Sequence, residues 1–506
     1  KYIEDRREHF YATNQERDQI HEVKVAVRKD GTILGIKDVF LYDSGAYIPY
    51  GLIIPIVASC TLPGPYKIPN YHAEFKAVFT NKTICSPYRG AGRPHGVFVM
   101  ERVINRIASE LGIDRMEVRR RNLIQPDEFP YDVGMIYQDN APLRYDSGNY
   151  PGLLDKLLSM IEYDQWPSRR EQYRREGRYV GLGLALYVEG TGVGPYEGAR
   201  VHVEPTGKVW VATGVGTQGQ AHYTTFAQIA ADELGVRVED VEVVTGDTGA
   251  FSWGTGTFAS RAAVVAGSAV ALAARDVKAK ALEVAANLLE AAPGDLELAE
   301  GQVRVKGAPQ RAVSLGEVAV AANPLRGTIP PGQEPGLEAA RYFNPSQSTY
   351  ASGGHAAIIE VDPQTGMIRI LKYAVVHDCG RLINPMIVEG QIHGGVAQGI
   401  GASFYEKLVY DDNAQLLTTS FMDYLLPTAL EVPDIVVGHQ ETPTPLNPLG
   451  VKGAGEAGVI PVPALFADAI EDALSDYDLR IREVPLSPNR LRELCQQAGV
   501  PGAAGA

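Results

Sequence analysis

Lys208-Val-Trp-Val-Ala-Thr-Gly-Val-Gly-Thr-Gln-Gly219 runs from an expected strand, through the spacing Gly-x-Gly-x-x-Gly, into an expected helix over residues 220–234. A doubly wound sheet uses this pattern to hand a dinucleotide pyrophosphate to a helix N-terminus. With Asp247 closing the next strand, 241–245, as a ribose-binding acid, the chain would be an NAD(P)-dependent dehydrogenase built on the Gly214–Gly219 turn. Three features weigh against that reading. The strand alternates through Lys208, Trp210 and Ala212, whereas the first strand of a parallel sheet is buried on both faces. The same spacing recurs at Gly453-Ala-Gly455-Glu-Ala-Gly458 with no strand before it. Gln218, Gln220 and His222 crowd the turn with polar side chains. What survives is a helix start whose amides can hold a phosphate, for another cofactor.

Outward from this turn, strands and helices mix without a regular βαβ alternation, so the expected class is α+β. Residues 22–48 and 69–80 alternate apolar and polar, as half-buried antiparallel strands do. Helical spacing covers 97–111, a short helix follows the N-cap Asp114, and 126–150 reads as an ordered loop. Residues 153–176 read as one charged helix. A boundary near 177–181 then divides the chain into 1–176 and 177–506. Strands are expected at 181–187, 199–204, 356–362 and 367–377, and helices at 388–403 and 464–474. A long Ala- and Val-rich helix spans 260–290, with Ser260 placed to cap it, and 293–333 reads as an insertion.

A net charge of −14 argues against a nucleic-acid partner. No apolar run approaches the ~18 residues that span a bilayer. Cys60, Cys85, Cys379 and Cys495 are dispersed, so this chain is expected to carry no iron–sulfur cluster of its own and no disulfide framework. That usage fits a reducing, cytoplasmic compartment. The ten histidines form no close pair, and no protein-ligated metal is expected.

The chemistry concentrates in glycine-rich loops. Gly450-Val-Lys-Gly-Ala-Gly-Glu-Ala-Gly458 carries little side-chain bulk, so backbone can lie against a ligand while Glu456 projects into the space left. Pro87-Tyr-Arg-Gly-Ala-Gly-Arg-Pro94 offers Arg89 and Arg93, natural forks for phosphate or carboxylate, around a turn at Gly90 and Ala91. Gly254-Thr-Gly-Thr-Phe-Ala-Ser-Arg261 opens the long helix. Val376-His-Asp-Cys-Gly-Arg-Leu-Ile-Asn-Pro385 leads to Gln398-Gly-Ile-Gly401. There is no nucleophile elbow and no Walker loop. Several phosphate-cradling loops and one loop carboxylate suit a large, multiply anchored cofactor that brings its own metal.

These motifs, Tyr-Arg-Gly-Ala-Gly-Arg-Pro, Gly-Gln-Ala-His-x-Thr-Thr-Phe, Gly-Thr-x-Ala-Ser-Arg, Asp-Cys-Gly-Arg-x-Ile-Asn-Pro, Val-Ala-Gln-Gly-Ile-Gly and Gly-Val-Lys-Gly-x-Gly-Glu, resemble the molybdenum-binding subunit of the xanthine oxidase family. That family includes aldehyde oxidoreductases and the large subunit of aerobic carbon monoxide dehydrogenase. The resemblance implies two elongated molybdopterin-binding domains and a molybdopterin cytosine dinucleotide carrying oxo/sulfido molybdenum. Gly90, Ala91, Gly219, Gln220, Ala221, Thr257, Phe258, Ala259, Ser260, Gln398, Gly453 and Gly455 would contact the cofactor, with Arg89 beside the metal or substrate and Glu456 as the base. It further implies hydroxylation of an aldehyde or aromatic N-heterocycle by a molybdenum-bound hydroxide, with hydride passing to the sulfido group. Electrons would leave to a 2Fe–2S subunit and an FAD subunit in a dimer of heteromers, neither group residing in this chain. Gly90 stands where copper-dependent members carry Cys, and His95 and Ala221 replace commoner family residues. The family's upstream metal-contacting loop has no counterpart here, so the chain reads as the C-terminal two-thirds of the subunit. A missing or separate N-terminal molybdopterin-binding piece would complete it; an inactive homologue is the alternative.

Overall fold

The computed structural model describes residues 2–326, 329, 332 and 334–503. Its centre is a four-stranded sheet ordered Ile435–His439, Ile368–Asp378, Thr349–Val361, Tyr179–Thr191, parallel only at the first pair. Tyr179–Thr191 is buried almost throughout, because helices cover both faces of the sheet. Leu182, Leu184 and Leu186 pack with Ile104, Leu153 and Leu157 on one side. Ala185 and Tyr187 pack with Val396, Leu465 and Ile470 on the other. Glycine sets the distance to the second layer. A Cβ on Gly181 or Gly183 would stand 2.1 Å from the carbonyl of Ala469 or Leu465, so helix Val462–Ala473 rests directly on strand backbone.

Tyr179–Thr191 is an edge strand, and side chains complete its hydrogen bonding. Asp472 and Asp468 accept from the Leu182 and Leu184 amides at 2.8 and 2.9 Å. Arg115 and Arg119 donate to the carbonyls of the same two residues at 2.7 and 3.1 Å. Near the far end of the strand Arg93 donates to Gly190 O at 2.6 Å. The helices Arg93–Leu111, Arg115–Asn122 and Val462–Ala473 are thereby fixed to the strand that leads into the site.

The sheet holding the Gly214 turn is ordered Glu338–Phe343, Glu197–Val203, Val209–Thr213, Val241–Thr245. Val209–Thr213 runs antiparallel to Glu197–Val203 and parallel to Val241–Thr245, so this is a mixed sheet and not a doubly wound one. Helices His222–Leu234 and Ala262–Leu289 cover one face.

Several expectations need correction. Tyr71–Val78 pairs parallel with Ile33–Asp43, not antiparallel. Within 126–150 lies a hairpin, Tyr131–Ile136 with Pro142–Tyr145. The expected helix 153–176 is two helices, Tyr150–Met160 and Trp166–Arg175, broken where Glu162 turns left-handed at φ 58°. The insertion folds as strands Leu296–Ala299, Gln302–Val305 and Ala308–Ser314 followed by helix Leu315–Ala321, while its expected end, Gln333, lies outside the described residues. Among the described residues no helix is long and apolar enough to cross a membrane.

Candidate active site

A cleft of about 1190 Å³ is lined from many separate stretches of chain, five of which carry the residues expected to contact a cofactor. Arg89 and Ala91 come from one, Gly219 and Gln220 from a second, and Thr257, Phe258, Ala259 and Ser260 from a third. Gln398 comes from helix Pro385–Phe404, and Gly453, Gly455 and Glu456 from the fifth. Two expected contact residues stand just behind the surface: Gly90 gives its amide to Glu456, and Ala221 precedes the lining residue His222. Phe421 and Tyr424 pack against Phe10 and do not line the cleft.

Close backbone contacts bring these stretches together. A Cβ on Gly453 would lie 2.0 Å from Ser260 O, and one on Gly458 2.5 Å from Ile392 O. Gly380, in the Asp-Cys-Gly-Arg turn, meets Gly450 O at 2.4 Å in the same sense. Asp378 shapes that turn by accepting from the Gly380 and Thr442 amides at 2.9 and 3.1 Å. The Gly214 turn has the same explanation: a Cβ there would stand 2.0 Å from Trp253 O, where two loops cross. Glycine at 214 therefore serves the crossing, and Asp247 is spent on its own turn, accepting from Gly249 N at 2.8 Å. This removes the structural basis of the NAD(P) reading.

Strain concentrates at the same place. Ala91, Ala259 and Ser260 line the cleft with φ of 47°, 47° and 48°, a left-handed conformation that side-chain-bearing residues seldom adopt. The surrounding structure enforces it. Fully buried Glu197 accepts from the Thr255 and Gly256 amides at 2.9 and 3.1 Å and pairs with buried Arg261. Arg261 in turn donates to Val193 O at 2.7 Å and Gly256 O at 2.9 Å. Ser260 is not the helix cap expected of it: the helix begins at Ala262, and the Ser260 hydroxyl faces carboxylates instead.

Glu456, with 14 % of its side chain exposed, is the carboxylate of the cleft. Its Oε1 accepts from Gly90 N–H at 2.9 Å, and its Oε2 from Arg93 and Ser260 Oγ, each at 3.2 Å. Arg89 donates to Gly455 O at 2.7 Å, Gln391 O at 3.0 Å and Gln398 Oε1 at 3.2 Å. A guanidinium has five N–H groups, so two remain without a partner among the described residues and can meet a ligand. Gln398 also donates to Tyr88 Oη. Gln220 is folded onto its own loop, with Oε1 accepting from Gln218 N at 2.6 Å. Burial lowers the His222 pKa to about 4, so the imidazole facing the cleft is neutral, and its Nδ1 has no partner among the described residues.

Sequence reasoning missed Glu189 and Glu197 and gave Arg93 no place in the site. Glu189 is fully buried and accepts from Ser260 Oγ at 2.6 Å. Its signal was available: a charged residue continuing the uncharged run from Val180 to Val188, where nothing alternates.

Comparison with known proteins accords with this geometry. Residues 156–433 and 1–123 match two models described as molybdopterin cofactor-binding domains. The crystal structure of quinoline 2-oxidoreductase from Pseudomonas putida 86 superposes with a TM-score of 0.91 at 39% identity, over 98% of this chain and 64% of that one. Nicotine 6-hydroxylase large subunit of Paenarthrobacter nicotinovorans is 36% identical over 99% of this chain and 64% of its own length. Carbon monoxide dehydrogenase large chain of Afipia carboxidovorans is 35% identical over 99% and 63%. The chain thus spans a little under two thirds of these relatives. It belongs to the family of molybdopterin cofactor-binding domains. Within that family it is of the kind found in the molybdenum-binding large subunits of the xanthine oxidase family.

Proposed function

We propose that this chain forms the cofactor-gripping part of a molybdenum hydroxylase that oxidises an aromatic N-heterocycle or an aldehyde. The observation that carries the reading is the convergence of five distant stretches on one cleft, with Glu456 as its carboxylate. The residues present fit a molybdopterin: the lining turns left-handed at Ala91, Ala259 and Ser260, two Arg89 N–H groups are unspent among the described residues, and the cleft volume suits a cofactor plus a small substrate. The cytosine dinucleotide form is part of this proposal. When bound, that group supplies the two-electron oxidation, and the protein supplies a base, orientation and exclusion of water. Glu456 takes the proton from the attacking oxygen nucleophile. Gly90 N–H and Arg93 hold its two oxygens, so the carboxylate enters the reaction without reorientation. Arg89 ties the Glu456 loop to Gln398 and aims its remaining N–H groups at the ligand.

In this reading, residues 1–176 and 177–506 are two cofactor-binding units. Partner subunits bearing a 2Fe–2S centre and FAD carry electrons away, a further molybdopterin-binding piece completes the assembly, and the complex works in the cytoplasm. The names of the similar proteins, which include a nicotine hydroxylase and a quinoline oxidoreductase, favour the aromatic heterocycle over the aldehyde. The test is metal and nucleotide analysis of the purified complex. Turnover is then screened with an artificial electron acceptor against quinoline, nicotine, purines, aldehydes and carbon monoxide. Molybdenum with releasable cytidine nucleotide and heterocycle oxidation support the proposal. Stoichiometric NAD, or a complex free of molybdenum when expressed with full molybdenum supply, overturns it.

A further inference from the structure

Ser260 Oγ stands between two carboxylates. It lies 2.6 Å from Glu189 Oε1 and 3.2 Å from Glu456 Oε2, and it accepts the Glu456 backbone N–H at 3.0 Å. A hydroxyl has one hydrogen. If both carboxylates were ionised, that hydrogen could serve only one, leaving an oxygen–oxygen contact with nothing between. The arrangement closes only with one more proton. Glu456 does not carry it, because both its oxygens already face donors, Gly90 N–H and Arg93. Glu189 has no such support: it is fully buried, and its Oε2 has no partner among the described residues.

We propose that Glu189 is a neutral carboxylic acid at physiological pH, donating to Ser260 so that the Ser260 hydrogen is held on Glu456, and that it is thereby the positioning residue for the base. Its consequence for turnover rests on Glu456 acting as the base; the location of the proton does not.

The charge balance agrees. Arg93, from the start of helix Arg93–Leu111, is the cation shared by Glu189 and Glu456, and it donates to Glu456. Arg89 adds charge from farther off, with its guanidinium bound to Gly455, Gln398 and Gln391. The other titratable groups facing Glu189 are the Tyr137 phenol, bonded by Arg93, and Tyr187 on its own strand, both neutral. Ionising both carboxylates would set two negative charges side by side in a dry interior with only Arg93 close to both. Burial raises the Glu189 pKa to about 8, with Arg93 opposing the rise and Glu456 adding to it. Above about pH 8 the Ser260 hydrogen turns to Glu189, and Glu456 gains a negative neighbour.

The test uses the intact purified complex. Infrared difference spectra should show a protonated-carboxyl band at neutral pH that is absent in Glu189→Gln and titrates away near pH 8. If Glu189→Gln does not fold, Ser260→Ala replaces it, and the same band should shift in frequency as its hydrogen-bond partner is lost. In parallel, wild-type kcat/KM should fall above that pKa as the Ser260 hydrogen leaves Glu456. Glu189→Gln still donates to Ser260 and cannot ionise, so its kcat/KM should show no such fall with pH. A neutral-pH carboxyl band unaffected by either variant overturns the protonation. An identical alkaline fall in Glu189→Gln overturns the positioning role. If the complex turns over no substrate, the hydroxylase reading fails, and the infrared measurement still decides where the proton sits.

Discussion

Substituting Gly453 by alanine tests how the cleft is assembled. The added Cβ would lie 2.0 Å from Ser260 O and 2.4 Å from Ser260 Cβ. Ordinary contact begins at 3.4 Å, so the two loops must part by 3.4 − 2.0, or 1.4 Å. Neither side yields easily. Ser260 is held left-handed at the entrance to the long helix, and Gly453 N–H is tied to buried Thr191 Oγ1 at 2.9 Å. Glu456 lies three residues on and shares two hydrogen bonds with Ser260, which the separation breaks. Overpacking of this kind costs about 1–3 kcal/mol of stability. Displacing a reacting group by roughly 1 Å costs about 10²-fold in rate. Gly455→Ala is the internal control, because its Cβ meets protein no closer than 3.6 Å, at Ser260 Oγ. Thermal unfolding and kcat/KM of the complex should therefore separate the two. Gly453→Ala loses both stability and about two orders of magnitude in rate. Gly455→Ala keeps its stability, and any rate it loses reports contact with whatever fills the cleft. Wild-type stability and turnover in Gly453→Ala would refute the packing argument.

The covered edge of Tyr179–Thr191 makes a second prediction. Asp468→Ala leaves the buried Leu184 amide without its acceptor, at a cost of about 1–3 kcal/mol, read as a lower urea midpoint; an unchanged midpoint would contradict it. A third concerns pH. Glu189 titrates near 8 when folded but near the ordinary 4.5 when unfolded, so between pH 7 and 8 the folded state holds more protons. The Glu189 contribution to stability therefore falls as pH rises through that window, by about 1 kcal/mol. Buried His222 and His377, with pKa values of about 4, and His355, about 3, stay neutral in the folded state there and are mostly neutral unfolded. Melting curves of wild type and Glu189→Gln should diverge in slope across pH 7 to 8; parallel slopes would contradict the assignment.

Much of this was legible in the sequence because it is local. The Asp114 cap is present, accepting from the Met116 and Glu117 amides, and the alternation of Gln19–Val27 matches its half-buried face. The glycine loops were recognisable as places of close approach, but what they approach was not. Gly214 fits a dinucleotide turn and Gly458 a ligand loop, yet each meets another stretch of backbone, and only tertiary structure names the partner. Ser260 shows the same limit: as a small polar residue before a helix it has the signature of a cap, and two distant carboxylates override that preference. The hairpin within 126–150 was hidden because Tyr131–Ile136 and Pro142–Tyr145 are short and carry Gly134 and Pro142, which weaken a strand signal. Glu189 escaped because a single charge ending an apolar strand has no motif; its role comes from Ser260 and Glu456, far along the chain.

Glu456→Gln is the most direct measurement of the central claim, made on the purified complex with molybdenum content determined alongside turnover. The carboxamide is nearly the same size and can still accept from Gly90 N–H, but it cannot take up a proton. The account predicts molybdenum at the wild-type level and a kcat lower by about 10²–10⁴-fold, the span that general-base catalysis supplies. Wild-type molybdenum with turnover within a few-fold of normal would contradict it.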